Sequence, residues 1–303
     1  MSPDTFERIE KKYLLDRKQH RLVLSGLAGR VAPDEFGRST VTSVYFDTAH
    51  YQMVERSLDK PLYKEKLRLR LYGNPCDAQA SSPCFMEQKT KFQGVVYKRR
   101  VQLSLAAAWE FAHGRPWQDA CKAHPPIGEA PALAGESPCS KEAQILEELA
   151  AMMRRHGILA PSITTACERT AWVPLDAESP LRITFDEDIR WKHLRKETHG
   201  KPRLSCSGWA DAVGANEIGT DASEAAAMGA DTGWLRGTNA GWLRATDEGA
   251  VLMEVKNSRP YPRWLCDLLS QAQAYPQSFS KYGTAYCQLK RGPHVPFDVL
   301  RSA

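Results

Sequence analysis

Lys64-Glu65-Lys66-Leu67-Arg68-Leu69-Arg70-Leu71-Tyr72 alternates without a break. A period of two belongs to a β-strand, whose successive side chains point to opposite faces. Leu67, Leu69 and Leu71 therefore share one face, and Lys66, Arg68 and Arg70 share the other. The first face needs an apolar cover and the second needs water or an anion. Neighbouring segments repeat the pattern. Residues 85–91 and 95–103, joined by the short Phe92-Gln93-Gly94 turn, read as a hairpin. Glu87 and Lys89 share a face of its first arm, as do Lys98 and Arg100 of its second. A first strand over residues 6–15 aligns Glu10 with Lys12. Residues 40–47 (TVTSVYFD) read as a second strand. Later strands align Cys167 with Arg169 (163–173), Arg182 with Asp186 (181–186) and Glu254 with Lys256 (250–256).

Between the strands lie shorter helical signals. Asp16 is a candidate cap for a helix reaching Leu24, and Ser104 for one ending near Gly114. Residues 141–156 carry an apolar stripe of Ile145, Leu146, Leu149, Met152 and Met153, with an early acid, late arginines and Gly157 as a stop. Residues 263–275 read as helix, and residues 284–289 as a last strand closing the sheet. Residues 115–140 are rich in Pro, Gly and Ala and are expected to be loop. Residues 214–248, in which Gly-Trp-Leu-Arg occurs at 233–236 and again at 241–244, read as a flexible insertion. The whole chain, 1–303, is expected to be a single domain.

The chain has 303 residues, 42% hydrophobic and 25% charged, with a net charge of +5. That composition suits a folded soluble protein and excludes disorder as the whole account. No run approaches the ~18 apolar residues of a membrane-spanning helix. The opening MSPDTFERIEKKYLL lacks the apolar core of a signal peptide, so a cytoplasmic location is expected. The eight cysteines form no C-x-x-C pair and support no zinc site.

Taken singly, each cationic strand face is an ordinary wet surface. Taken together they are unusual, because Arg and Lys recur where a wet face would mix Thr, Ser and Gln. Rolling the sheet into a closed antiparallel barrel, with helices packed outside, would point these charges into a lumen. Such a lumen repels itself when empty and is favourable when a polyanion fills it. Phosphate chains suit it, since Arg grips phosphate oxygens in pairs and Lys supplies compact charge. Carboxylates such as Glu10, Glu87 and Glu254 would serve a divalent cation shared with the phosphates. No G-x-x-x-x-G-K-[ST] loop and no nucleophile–base pair is present. Aromatics do not interleave with the cations, so no nucleic-acid partner is expected.

The pieces Arg8-Ile9-Glu10-Lys11-Lys12-Tyr13, Val44-Tyr45-Phe46-Asp47, Lys66 to Tyr72, Glu87-Gln88-Lys89 and Val96-Tyr97-Lys98-Arg99-Arg100 open a recognisable series. Glu168-Arg169-Thr170-Ala171, Leu181 to Asp186, Leu252-Met253-Glu254-Val255-Lys256 and Ser278-Phe279-Ser280-Lys281-Tyr282 continue it. In this order they resemble the VTC domain, the polyphosphate polymerase domain of the vacuolar transporter chaperone type, within the CYTH-like triphosphate tunnel metalloenzymes. The hydrolase and cyclase branch of that superfamily opens with Glu-x-Glu-x-Lys. Here Arg8 takes the first Glu position, as in the VTC branch.

The resemblance implies an α+β tunnel and a metal-dependent phosphotransferase that adds the ATP γ-phosphate to inorganic polyphosphate. It implies catalytic roles for Arg68, Arg70, Lys89, Arg169 and Lys281, and phosphate contacts from Lys12, Lys98, Arg182 and Ser280. Lys256 joins the phosphate contacts by strand parity. Glu254 and Glu10 are the implied ligands of Mn²⁺ or Mg²⁺. ATP and polyphosphate are the expected partners, with any role at a membrane carried by a separate membrane protein. The alternatives are a tripolyphosphate or nucleoside triphosphate hydrolase and a non-catalytic polyphosphate-binding domain.

Overall fold

The computed structural model describes residues 9–93, 95–125, 141–176, 178–195 and 241–292. The chain runs β1 (Ile9–Leu15), α1 (Arg17–Leu27), β2 (Val31–Asp47), α2 (Gln52–Leu58) and β3 (Tyr63–Tyr72). Next come β4 (Pro83–Phe92), β5 (Val95–Ser104), α3 (Leu105–Ala112), α4 (Trp117–Ala123) and α5 (Lys141–His156). It ends β6 (Ala160–Pro174), β7 (Arg182–His193), β8 (Leu243–Arg244), β9 (Val251–Asn257), α6 (Arg263–Gln271) and α7 (Lys281–Arg291). The result is a mixed α+β fold around one large sheet. Among the described residues that sheet has nine strands, in the order β1-β9-β7-β6-β2-β3-β4-β5, with β8 added beside β7 and every pair antiparallel.

The alternation of β3 holds. Leu67, Leu69 and Leu71 are buried, and they join Val44, Phe46, Met86, Val101 and Leu103 under α3, α4 and α5. A second apolar layer sets Tyr13, Leu15, Ile183, Phe185, Met253 and Val255 under α1 and α6. Both layers lie on the convex side. Asp16 caps α1 as expected, accepting from the backbone of Lys18 and Gln19, and Ser104 caps α3.

Glu65 falls on the leucine side of β3 and is buried beneath α5. It accepts from Arg155 Nη2 at 2.7 Å and pairs with His156 Nε2 at 2.8 Å. Burial alone would raise its carboxyl, but hydrogen bonds from His156 and Tyr63 and the charge of Arg155 bring it to about 2. This acid ties the helix to the sheet.

Register irregularities bend the sheet, as bulges do. One lies in the β2–β6 ladder between Tyr45 and Phe46. Another lies in β6–β7 between Ala166 and Glu168, opposite the left-handed Asp188 at φ 46°. The bend carries β1 round to β4, so that Glu10 reaches Lys89 at 3.8 Å. Among the described residues no backbone ladder joins β1 to β5, so the sheet is a curved open one, not the expected closed barrel. Side-chain ion pairs, which need no strand register, bridge the gap.

α2 and α7 sit against one end of the concave face, where Val41, Tyr45, Ile163, Cys167, Trp191 and Leu252 meet Val54, Phe279, Tyr282 and Tyr286. Tyr45 stacks on Tyr282 with ring centroids 4.4 Å apart. Residues 284–289, expected as a strand, are thus part of α7. Taken with Tyr282, the spacing Tyr282, Ala285, Tyr286, Leu289 is helical. Residues 117–123 form α4 where loop was expected, and α2 was not foreseen. Leu243 and Arg244, inside the second Gly-Trp-Leu-Arg, pair with β7. Arg8, residues 126–140 and residues 196–240 lie outside the described residues.

Candidate functional site

The strand parities that bury leucine and valine on the convex side turn the charges inward. Three carboxylate nodes organise them. At the first, Glu87, buried at 1% exposure, accepts from Arg68 Nε at 2.6 Å. It also lies 2.8 Å from Lys98 Nζ, 3.4 Å from Arg100 Nε and 3.9 Å from Arg70 Nε. Arg70 donates to Ser43 Oγ as well, at 3.4 Å. Burial alone would raise the Glu87 carboxyl, but Arg68, Arg70 and Lys98 bring it to about 2.

At the second node, Asp186 is fully buried and takes both Arg169 Nε (2.5 Å) and Nη2 (2.7 Å) in a fork. Lys281 Nζ, from the first turn of α7, ion-pairs with the same carboxylate. These two cations outweigh burial and hold Asp186 at about 2. In return, burial would lower the Lys281 ammonium, but Asp186 raises it.

The third node is made of lysines and two acids on adjacent strands. Lys12 Nζ stands 3.5 Å from Glu10 Oε1 and 3.4 Å from Glu254 Oε1. Lys256 Nζ stands 3.3 Å from Glu254 Oε2 and 3.9 Å from Glu10 Oε2. Burial would raise Glu254, yet Lys12, Lys281, Lys256 and Arg169 hold it well below the usual carboxylate range. Glu10 is likewise lowered: burial raises it and Lys89, Lys12 and Lys256 prevail.

Arg68, Arg70, Lys98, Arg169, Lys281, Lys12, Lys256, Lys89, Glu10 and Glu254 are therefore drawn onto one concave face. Arg182 stands apart. It lies on the same side of β7, but its guanidinium is half exposed and engaged by Asp34 Oδ2 at 2.7 Å. Ser280 is the N-cap of α7, accepting from Gly283 N, and its Oγ also accepts from Lys66 Nζ at 2.9 Å. Asp47 is an anchor: it accepts from the backbone of Met53 and Val54 at the start of α2 and from the Tyr282 hydroxyl.

From the sequence Glu87 is an ion-pair partner of Lys89 or Arg70; the structure has the Arg70 pairing and adds Arg68, Lys98 and Arg100, which strand parity does not reveal. In the ladder Glu87 lies opposite Arg68 on one side and Arg100 on the other. Counting back from the Phe92-Gln93-Gly94 turn would have found the second pairing.

The acids at the third node fit a hard divalent cation in part. Both are oxygen ligands and both are held ionised. Among the described residues no three His, Cys, Asp or Glu side chains cluster as a complete metal site, so water or the oxygens of a bound ligand would have to complete the coordination. Mg²⁺ and Mn²⁺ commonly bind in this way, through one or two carboxylates plus substrate.

Among the described residues no helix is long and apolar enough to cross a membrane. No curated protein matches the chain. Similar solved structures include a candidate adenylate cyclase from Bacillus halodurans, with a TM-score of 0.41 and 12% identity over 90% of this chain and 93% of that one. Another, from Vibrio parahaemolyticus, has a TM-score of 0.39 and 9% identity over 92% and 97%. The PH1819 protein of Pyrococcus horikoshii OT3 has a TM-score of 0.37 and 7% identity over 93% and 97%. The family comparison reaches further into the sequence: the VTC domain model matches residues 7–290, and the chain belongs to the VTC domain family.

Proposed function

We propose that the protein is a polyphosphate polymerase that transfers the γ-phosphate of ATP to a growing inorganic polyphosphate chain, with the concave face working as a tunnel around the phosphates. The observation that carries this reading is the excess of cations over carboxylates on one concave face. Arg68 and Arg169 are each held by a buried acid, so their remaining N–H groups are pre-aimed and need little reordering to grip phosphate. A loose phosphoryl-transfer transition state asks mainly that its oxygens be held and neutralised, and no covalent enzyme intermediate is required.

In this mechanism Arg68, Arg70, Arg169 and Lys281 hold the reacting triphosphate, and Lys12, Lys89, Lys98 and Lys256 hold neighbouring phosphates. Arg182 guards the rim, and Ser280 orients Lys66. Glu254 and Glu10 would hold Mn²⁺ or Mg²⁺, which neutralises phosphate charge when bound. ATP and polyphosphate are the partners, and the site of action is the cytoplasm, with a separate membrane protein receiving the product. One observation favours a non-catalytic polyphosphate receptor instead: Lys12 already bridges Glu10 and Glu254, where a metal would sit.

The test is purified protein with ATP and Mn²⁺, run on a gel stained for polyphosphate while ADP and free phosphate are quantified. A ladder with matching ADP establishes the polymerase. Free phosphate without a ladder means a hydrolase, and tight polyphosphate binding with neither product means the receptor. Within the polymerase reading, Arg70→Ala is expected to lower turnover by roughly 10²–10³-fold, as loss of a transition-state donor does. A wild-type rate in that variant would remove Arg70 from the reacting centre.

A further inference from the structure

We propose that the free end of the β3–β4–β5 sheet, where the turn before β3 meets the β4–β5 hairpin, is a docking tip for an anionic lipid bilayer. This role is independent of the reaction on the concave face. Large apolar and aromatic side chains stand together there in water: Leu62 at 72% exposure, and Tyr63, Phe92, Val96 and Tyr97 at 42%, 44%, 46% and 45%. Tyr63 lies directly opposite Phe92 in the β3–β4 ladder, and their rings meet edge to face with centroids 6.4 Å apart. Phe92 pairs in turn with Val95, and Tyr97 follows two residues on along the same face of β5. The backbone N–H of Gln93 donates to the Leu62 carbonyl at 2.9 Å, which pins the two turns to each other.

The exposure follows from where the helical cover ends. On the convex side it stops at Glu65, which Arg155 and His156 bind from the last turn of α5. Tyr63 is two residues further along the same face, past the end of that helix, and both it and Phe92 stay open to water. Apolar surface left in water is a standing drive toward association, roughly in proportion to its area, and contiguous exposed patches mark interaction sites.

Charge selects the occupant. Residues 58–64 and 91–97, the two segments that build the tip, contain Lys60, Lys64 and Lys91 and a single acid, Asp59. Lys60 and Lys91 are exposed, and Lys64 is partly buried with its Nζ on the Ser57 carbonyl at 3.2 Å. Aromatic and aliphatic side chains at the tip, with lysines beside them, match the layering of a membrane surface, where anionic headgroups overlie an apolar interior. A second copy of the chain fits poorly, since an isologous contact would bring both sets of lysines together. A protein partner would need a surface shaped to side chains that project from two turns, whereas a fluid bilayer accepts them without a fixed shape. A free phosphate chain would satisfy the lysines but gives nothing to Leu62 or Phe92.

The test is flotation of the full chain, without ATP and at one fixed salt concentration, with vesicles of phosphatidylcholine alone or mixed with phosphatidylglycerol. The wild type is expected to float with the mixed vesicles and to stay behind with the neutral ones. Lys60→Gln together with Lys91→Gln should weaken vesicle binding by roughly 30-fold, about fivefold for each lysine near an anionic surface. Leu62→Ser together with Phe92→Ser should weaken it by roughly tenfold or more, while the affinity for tripolyphosphate is unchanged. That pair of readings separates the tip from the concave cations, which attract anionic vesicles by charge alone. Vesicle binding that survives the Ser substitutions would overturn the proposal. So would a wild type that binds no vesicles, a result that would leave the tip to a protein partner. If no polymer is made from ATP, the polymerase reading fails while flotation still decides this one. Should the double Ser variant lose its cooperative melt, Leu62→Ser and Phe92→Ser are read singly in the same assay.

Discussion

Glu254→Gln is expected to abolish polymer synthesis, by about 10²-fold or more if the charge stabilisation it supports resembles that of other pre-organised sites, while strengthening the metal-free binding of tripolyphosphate. The opposite signs follow from one change of charge. Glu254 is ionised and nearly buried, with Lys12 and Lys256 at 3.4 and 3.3 Å. Glutamine keeps its shape and removes a negative charge from a face that must receive phosphates. In chelator, the lysines freed from Glu254 turn to the ligand, and affinity rises. With Mn²⁺ present, the proposed metal ligand is gone and turnover collapses. Calorimetry in chelator and the gel assay in Mn²⁺ read the two effects separately. Retained synthesis would remove Glu254 from the metal role, and weakened metal-free binding would mean that its part is to shape the site.

The strands were legible because their convex residues are apolar and their concave residues charged. That contrast is strongest in β3, where leucine alternates with Lys and Arg, and it located nearly every inward cation. Two kinds of information were not carried by single-strand parity. One is pairing across strands: Glu87 answers to Arg68 and Arg100 through the ladders on either side of it. The other is the contribution of segments outside the sheet. Residues 284–289 are too short a run to show a helical period by themselves, but Ser280 caps a helix there, and that helix delivers Lys281 to Asp186. Arg182 shows the converse limit. Parity placed it on the inward side, yet Asp34, far off in sequence, draws its guanidinium to the rim. Parity and charge already pointed to a polyanion among the facing cations; the family resemblance added the expected roles of individual residues.

That crowding makes the second large effect one of stability. Glu87→Gln is expected to destabilise the fold by about 2–3 kcal/mol at neutral pH, near the lower end of the cost of breaking a buried ion pair. The lower end applies because Lys98 and Arg100, two of its partners, are 44% and 35% exposed and partly screened by water. For a chain of this size the melting temperature should fall by roughly 3–5 °C. Two further measurements identify the cause as charge. Glu87 titrates at about 2 in the folded protein against an ordinary 4.5, so its contribution is complete above about 4.5 and is lost as the pH falls toward 2. The gap in melting temperature between variant and wild type should therefore narrow on acidification from pH 7 to 3. Tripolyphosphate, placing new negative charge among the same cations, should raise the melting temperature of the variant more than that of the wild type. A gap unchanged at pH 3, or equal stabilisation of both proteins by tripolyphosphate, would mean that Glu87 holds the sheet by packing, and that the cations around it do not depend on an anion to coexist.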